Sequence, residues 1–368
     1  MRIAAVEIIP YALPLERPYV TARGTLERRE MVLLRLRTEA GIVGLGEAVP
    51  LSLRGGATLH RVERSLARVA RRLARLDVAA MTGEQPLGAA VDALIHVAAG
   101  RRLPAPAKAA VEMVLFDLAG RISGTPLWRM LRGETSAPVR CNATLASDSP
   151  NRLAAEAAAW RERGFETFKL KLGHGDDAER ARVVREAVGP DARVRVDANG
   201  AWSTDRAVAV LDEIEPLGIE LVEQPTATLR EMAAVAAATA IPIAADESVT
   251  SAREAKRAAQ AGACRFATVK LSKVGGIGTA AGIAAELPVY LSSSLDGPVG
   301  IAAAAHAAQG LYRDRDDPGL AHGLATQALF GGTIASVECE VREGFLHLPE
   351  GPGLGVEIDE RALERHRL

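Results

Sequence analysis

Five residues of this chain have the types and spacing to move a proton beside a carboxylate: Lys171, Asp197, Glu223, Asp246 and Lys270. They lie 26, 26, 23 and 24 residues apart, and each closes a short apolar run, as in Val194-Arg195-Val196 before Asp197 and Ile243-Ala244-Ala245 before Asp246. A repeated strand and helix takes roughly 30 residues in a barrel, so this spacing delivers one charged group per repeat to the same end of the strands. Salt-bridge decoration has no reason to keep that period. Three carboxylates brought so close repel unless a cation lies among them, and hard oxygen ligands with room for water and substrate suit Mg²⁺, with Mn²⁺ as a substitute. Asp197, Glu223 and Asp246 are therefore the expected metal ligands. Lys171 and Lys270 then stand on opposite sides of the metal, and Lys169, two residues before Lys171, shares its strand face.

Removing a proton next to a carboxylate makes an enediolate with extra charge on the carboxylate oxygens, which a bound dication stabilises more in the transition state than in the ground state. Abstraction needs a neutral amine, a form that a neighbouring cation favours. Lys171 is the expected general base, and Lys270 an acid, a second base or a stabilising cation. If both lysines exchange protons with one carbon, the reaction is a racemisation or epimerisation. If only one does and a β-leaving group departs, it is a dehydration.

The elements that must position these groups follow from periodicity. Strand-like runs at Val139–Thr144, Thr167–Leu172, Val194–Asp197, Ile219–Glu223, Ile241–Asp246, Phe266–Leu271, Val289–Ser292 and, weakly, Leu320–His322 alternate with alanine-rich helical stretches. This pattern implies parallel strands with covered faces, closed into a barrel. No G-x-G-x-x-G follows the first strand of a unit, which argues against an open dinucleotide-binding sheet. Upstream, Met31–Arg37 and Ile42–Ala48 read as antiparallel strands around a Glu39-Ala40-Gly41 turn. A helix follows with Val62, Leu66, Val69, Leu73 and Leu76 on one face. Ala107–Leu131 reads as a helix stopped near Gly124 and Pro126, then a short second helix.

The 368 residues exceed what one core supports, so two domains are expected. A formal charge of −1 excludes a field suited to nucleic acid or an anionic membrane, and the arginines after Leu59 read as a solvated helix face. Three distant cysteines and a start without a signal-like apolar run suit a cytoplasmic protein with a small-molecule carboxylate substrate, no membrane partner, and room for a homo-oligomer.

The segments Lys169-Leu170-Lys171, Val196–Trp202 (VDANGAW), Val222–Pro225 (VEQP), Ala245–Ser248 (ADES) and Val269–Gly276 (VKLSKVGG) together resemble the enolase superfamily, in its muconate-lactonizing subgroup. The pairing of a Lys or His base with Mg²⁺ is that superfamily's known chemistry. The resemblance implies an α/β fold: a modified TIM barrel, (β/α)7β, with an α+β capping domain built from the N-terminal segment and the C-terminal tail. Residues 1–130 would form the cap, 131–325 the barrel, and 326–368 would return to the cap. Cap loops carrying Arg23 and Arg54 would reach the substrate.

Leu291–Gly300 (LSSSLDGPVG), Ala321–Thr326 (AHGLAT) and Cys141–Thr144 (CNAT) are similar to the o-succinylbenzoate synthase family, which implies a dehydratase of menaquinone biosynthesis. The alternatives are an N-succinylamino acid racemase or epimerase, a muconate-type cycloisomerase, or a catalytically silent relative that only binds metal and carboxylate. Gly297-Pro298, where that family's pattern calls for small hydroxylated residues, and a cap longer than in its compact bacterial members depart from the synthase. Dipeptide epimerases grip a substrate ammonium with a D-x-D pair near the eighth strand, whereas Leu320–Ala335 holds no acidic residue. Further candidates for substrate contact or support are Asn199, which would orient water or Asp197, Lys273, the hydroxyls of Ser292, Ser293 and Ser294, and Asp296, which could equally cap a following helix.

Overall fold

The computed structural model describes the chain except residues 22–23, 52–54, 79–80, 82–86, 100–102, 132, 134–135, 146, 148, 174 and 312–318. The expected cap contacts Arg23 and Arg54 lie outside the described residues.

The chain opens with β1 (Ile3–Thr21), β2 (Gly24–Thr38) and β3 (Val43–Ala48), paired antiparallel in that order. The turn into β3 is the one read from Glu39-Ala40-Gly41: Gly41 has φ 81°, a conformation glycine adopts without strain, and its N–H donates to the Thr38 carbonyl at 2.9 Å. Next come α1 (Leu59–Leu73), α2 (Leu87–Ala99), α3 (Ala105–Ser123) and α4 (Leu127–Met130). Helix α1 starts on a Thr58 cap and buries Val62, Leu66, Val69 and Leu73, while α3 is apolar almost all round and stops at Gly124. Strand β3 lies so close to α3 that a Cβ on Gly46 would sit 2.1 Å from the Ala110 carbonyl oxygen.

The second part runs β4 (Val139–Arg140), β5 (Ala143–Leu145), α5 (Pro150–Glu162), β6 (Thr167–Lys171), α6 (Asp177–Val188), β7 (Arg193–Asp197), α7 (Thr204–Ile214), β8 (Ile219–Glu223), α8 (Leu229–Ala238), β9 (Ile243–Ala245), α9 (Ala252–Gln260), β10 (Phe266–Val269), α10 (Leu271–Val274), α11 (Ile277–Ala284), β11 (Val289–Leu291) and α12 (Pro298–Gly310). Strands β5 to β11 form one parallel sheet in chain order. Helices α5 to α9 each start on a Ser, Asp or Thr whose side chain accepts an orphan backbone N–H, which fixes where strands β5 to β9 hand over to their helices. The weak eighth strand is only a stitch: His322 bridges Cys141 and Gly323 bridges Ser292, both in the parallel sense. That stitch closes the sheet into the (β/α)7β barrel.

The expected first strand at Val139–Thr144 is divided in two. Its start, β4, pairs antiparallel with a strand some 200 residues later, and only β5 enters the barrel. The tail holds β12 (Ala335–Val337), β13 (Glu340–Arg342), β14 (Phe345–His347), β15 (Glu357–Ile358) and α13 (Glu360–His366). Strand β14 takes β4 on one side and β13 on the other. The tail also meets the N-terminal strands, through bridges Leu15–Phe330 and Tyr11–Arg367 and an ion pair of Arg35 with Glu360 at 2.7 Å. No helix among the described residues is long and apolar enough to cross a membrane.

Two buried carboxylates tie the cap to the barrel. Glu112 of α3 accepts the N–H groups of Ile277 and Gly278 at the start of α11, the latter at 3.0 Å. Glu47 of β3 accepts those of Gly297 and Val299 at the start of α12, at 2.6 and 3.3 Å, and the Tyr11 hydroxyl at 3.0 Å. Helix starts leave backbone donors unpaired and carry partial positive charge, so an acid from another element satisfies both. Burial raises Glu112 to about 7 against the pull of its two backbone donors. Burial and the nearby Asp296 raise Glu47 to about 7 as well.

Two outcomes follow from this packing. Gly46→Ala should lower urea-measured stability by about 1–3 kcal/mol or more, because the new methyl meets backbone that cannot yield, whereas Gly88→Ala, with open space around it, should cost nothing. Glu112 keeps in the fold a proton that the unfolded chain, with the ordinary value of 4.5, has already lost by about 7, so its stabilising contribution is full below 4.5 and disappears as pH rises through about 7. Between those limits wild-type stability should fall more steeply than that of Glu112→Gln, by up to about 1.4 kcal/mol per pH unit, and parallel curves would refute the assignment.

Candidate functional site

Register aligns the five charged residues at one end of the barrel. Lys171 is the Cα partner of Asp197, Asp197 of Glu223, and Glu223 of Ala244, two residues short of Asp246. Lys171, Asp197 and Glu223 thus share one layer, Asp246 and then Lys270 step beyond it toward the same end, and Lys169 lies opposite Arg195 one layer below. All three carboxylates are fully buried, and Lys169, Lys171 and Lys270 are 3–6 % exposed.

These charges are paired with one another. Lys169 Nζ lies 2.6 Å from Glu223 Oε2 and 2.9 Å from Asp197 Oδ2. Lys171 Nζ donates to Asp197 Oδ2 at 2.5 Å and to Asn199 Oδ1 at 3.0 Å. Lys270 pairs closely with Asp246 and stands 3.8 Å from Glu223 Oε1. Burial alone would pull Lys169 down, but Asp197 and Glu223 together hold it well above the usual lysine value. The same attraction, from Lys169, Lys171 and Lys270, overcomes burial at Asp197 and keeps it ionised far into acid.

Asn199 is in the left-handed region at φ 48°; its N–H donates to Asp197 Oδ1 at 2.9 Å, and its amide to Glu247 Oε1 at 3.2 Å. Gln224, also left-handed at φ 41°, accepts the N–H groups of Asp246 and Ser248 and so shapes the turn that presents Asp246. Sparsely populated backbone of this kind gathers where surrounding contacts over-determine it, commonly at functional sites.

Among the described residues no group of three His, Cys, Asp or Glu side chains is gathered as a ready metal cage. Each of the three carboxylates is paired with lysine side chains. The donor chemistry nonetheless fits a hard cation, because three oxygen-bearing side chains end adjacent strands and Glu223 Oε1 is buried without a hydrogen bond.

A cavity opens over this row, lined by Lys169, Lys171, Asn199, Lys270, Ser292, Ser293 and Ser294 from the barrel side, all singled out from sequence. Thr144, Leu295 and Thr326 join them, and the cap contributes Tyr19, Leu26, Arg29 and Leu51. Lys273 and Asp296 do not line it. Lys273 holds Asp246 Oδ1 at 2.6 Å and the Thr268 carbonyl at 3.1 Å, and burial, with Lys270 adding, lowers its pKa. Asp296 accepts from Ser272 Oγ and the Ser294 N–H, while the α12 cap comes from Glu47.

Two residues escaped the sequence reading. Arg29 is buried in β2 with Nη2 donating to the Pro50 carbonyl at 2.6 Å; period two places it on the same face as the core residues Met31 and Leu33, a charge where an apolar side chain is the norm. Tyr290, fully buried in β11, donates its hydroxyl to Glu223 Oε2 at 2.6 Å. Its signal was its place two residues before Ser292, on the inward face.

Residues 3–132 match the Mandelate racemase / muconate lactonizing enzyme, N-terminal domain family, and residues 152–362 the Enolase C-terminal domain-like family. The L-Ala-D/L-Glu epimerase of Bacillus subtilis is 33 % identical over 97 % of both chains, and the N-succinyl-L-Arg/Lys racemase of Bacillus cereus 27 % over 99 % of this chain and 97 % of its own. Among solved structures, the muconate lactonizing enzyme of Pseudomonas fluorescens complexed with muconolactone has a TM-score of 0.91 at 29 % identity, covering 100 % of this chain and 99 % of that one. The dipeptide epimerase of Enterococcus faecalis complexed with Mg and L-Leu-L-Tyr has a TM-score of 0.87 at 28 %, covering 97 % and 100 %. With a family match to most of its length and a relative one third identical from end to end, this chain belongs to the mandelate racemase and muconate lactonizing enzymes of the enolase superfamily.

Proposed function

We propose that this enzyme moves a proton at the carbon next to a carboxylate and returns it to the opposite face, racemising or epimerising an N-acylated amino acid such as an N-succinyl amino acid. The observation that carries the substrate class is the cavity lining: Lys169, Lys171, Lys270 and Arg29 are cationic, and no Asp or Glu is among the described side chains around it. The lysines are matched by the three acids beneath them, so Arg29 is the charge that the cap adds toward a second anionic group, and neither the described lining nor the acid-free stretch Leu320–Ala335 supplies a carboxylate to a free ammonium. The relatives reported above are isomerases, so weight moves from the expected dehydration to its racemase alternative.

In this reading Asp197, Glu223 and Asp246 would hold Mg²⁺, which when bound supplies positive charge to the substrate carboxylate as the α-carbon loses its proton. Lys171 Nζ takes the proton, and the C–H electron pair moves into the carboxylate as an enediolate. Lys270 Nζ gives a proton to the other face, which inverts the centre; the reverse reaction exchanges their roles. Lys169, held as an ammonium between two carboxylates, adds charge beside the substrate and keeps both acids in place. Hydroxyls of Ser292, Ser293, Ser294 and Thr326 meet polar groups of the acyl portion, and Arg29 meets its distal carboxylate from the cap. Muconate-type cycloisomerisation is the second reading, because its substrate is also a dianion and the lining suits it equally.

Lys171→Ala and Lys270→Ala should each lower racemisation by about 10²–10⁴-fold. In D₂O each variant should still exchange the α-proton of one enantiomer, and opposite enantiomers for the two. Racemisation retained in both variants, or wild type that only dehydrates the substrate of o-succinylbenzoate synthase or only lactonises muconate, would overturn the assignment. Arg29→Met should raise KM for an N-succinyl substrate by roughly 10–100-fold while leaving an N-acetyl analogue nearly unchanged, since only the former brings a second carboxylate to pair. Equal changes in both would remove Arg29 from recognition.

A further inference from the structure

We propose that Tyr290 is a positioning residue for the metal site: a strut across the barrel interior that fixes the orientation of the Glu223 carboxylate and leaves one of its oxygens for the cation. The inference rests on Glu223 being a metal ligand. Strand β11 carries Tyr290 and β8 carries Glu223, and two strands, β10 and β9, separate them in the sheet, so the contact is made through the barrel and not along its wall. Both donors to Glu223, the Tyr290 hydroxyl and Lys169 Nζ, converge on Oε2, each at 2.6 Å. Oε1 is buried and takes no hydrogen bond, with Lys270 Nζ standing 3.8 Å from it. A carboxylate held by two donors on one oxygen cannot rotate without breaking both, which leaves the second oxygen available in a fixed direction.

The strut is itself braced. Arg195 lies over the Tyr290 ring at 4.9 Å, is fully buried, and donates Nη1 to the Ala321 carbonyl at 2.6 Å and Nε to Glu220. Ala321 directly precedes the His322–Gly323 stitch that closes the barrel, so closure, the arginine, the tyrosine and Glu223 form one continuous chain of contacts. A lysine alone could balance the charge of Glu223, but its flexible stem would not set the angle of the carboxylate. A rigid ring with a single hydroxyl does. Outer contacts of this type tune metal affinity by about 10–100-fold.

The test is Mn²⁺ titration of the metal-stripped full chain by calorimetry, for wild type, Tyr290→Phe and Glu223→Gln, with thermal unfolding of each apoprotein alongside. Phenylalanine keeps the ring and its stacking on Arg195, so the apoprotein should melt close to wild type. Mn²⁺ affinity should fall about 10–100-fold, and turnover should recover at saturating metal. Unchanged affinity in Tyr290→Phe, with Glu223→Gln weakened, overturns the role of the tyrosine and leaves the ligand set standing. Unchanged affinity in Glu223→Gln removes Glu223 as a ligand and the inference with it.

Discussion

Three carboxylates with no exposure to water occupy one end of the barrel, and a buried charge without a partner is among the costliest features a fold can carry. Here the lysines answer that requirement from the same strand ends. Lys169 bridges two of the acids, Lys171 takes Asp197, and Lys270 and Lys273 share Asp246. The electrostatic demand dictates the register of β6, β7 and β8, because a slip of one residue would send each acid to the outer face among the helices. It also accompanies the left-handed backbone at Asn199, whose N–H donates to Asp197 Oδ1, and at Gln224, whose side-chain oxygen accepts the Asp246 N–H and so presents that acid.

Much of this was legible because it is periodic. The five residues kept the barrel's repeat, and the strands they end were found within one or two residues. What was illegible has no local period. Tyr290 meets Glu223 across the barrel, Glu112 meets α11 from 165 residues away, and Val139–Arg140 is drawn out of the first barrel strand by a partner in the tail. Lys273 looked free to reach substrate because sequence cannot show that Asp246 has room for two ammonium partners. The eighth strand read weakly for a physical reason: two bridges suffice to close the ring when its neighbours hold the remaining bonds.

The reaction was harder to read than the chemistry. Proton transfer beside a carboxylate needs only the barrel rim, and enzymes that share that rim differ in what surrounds the substrate's other end. Here the cavity over the rim is lined by Tyr19, Leu26, Arg29 and Leu51 from the cap and by hydroxyls after β11. Motifs in the last two strands pointed toward dehydration, but they describe the rim's hydroxyl supply and not the fate of the proton. The charge of the lining bears on the substrate more directly than their resemblance does.

Glu47 and Glu112 lend the division between cap and barrel an evolutionary meaning. The starts of two barrel helices are completed by acids that belong to the other part, so each part is unfinished alone. A cap borrowed from another protein would have to bring a carboxylate to both places, or leave helix amides stranded in an apolar seam. Both anchors are buried contacts at the seam, at the starts of α11 and α12, and are not among the cap side chains that line the cavity. Modularity in this protein is therefore partial: neither part can be exchanged without matching the acids at the seam.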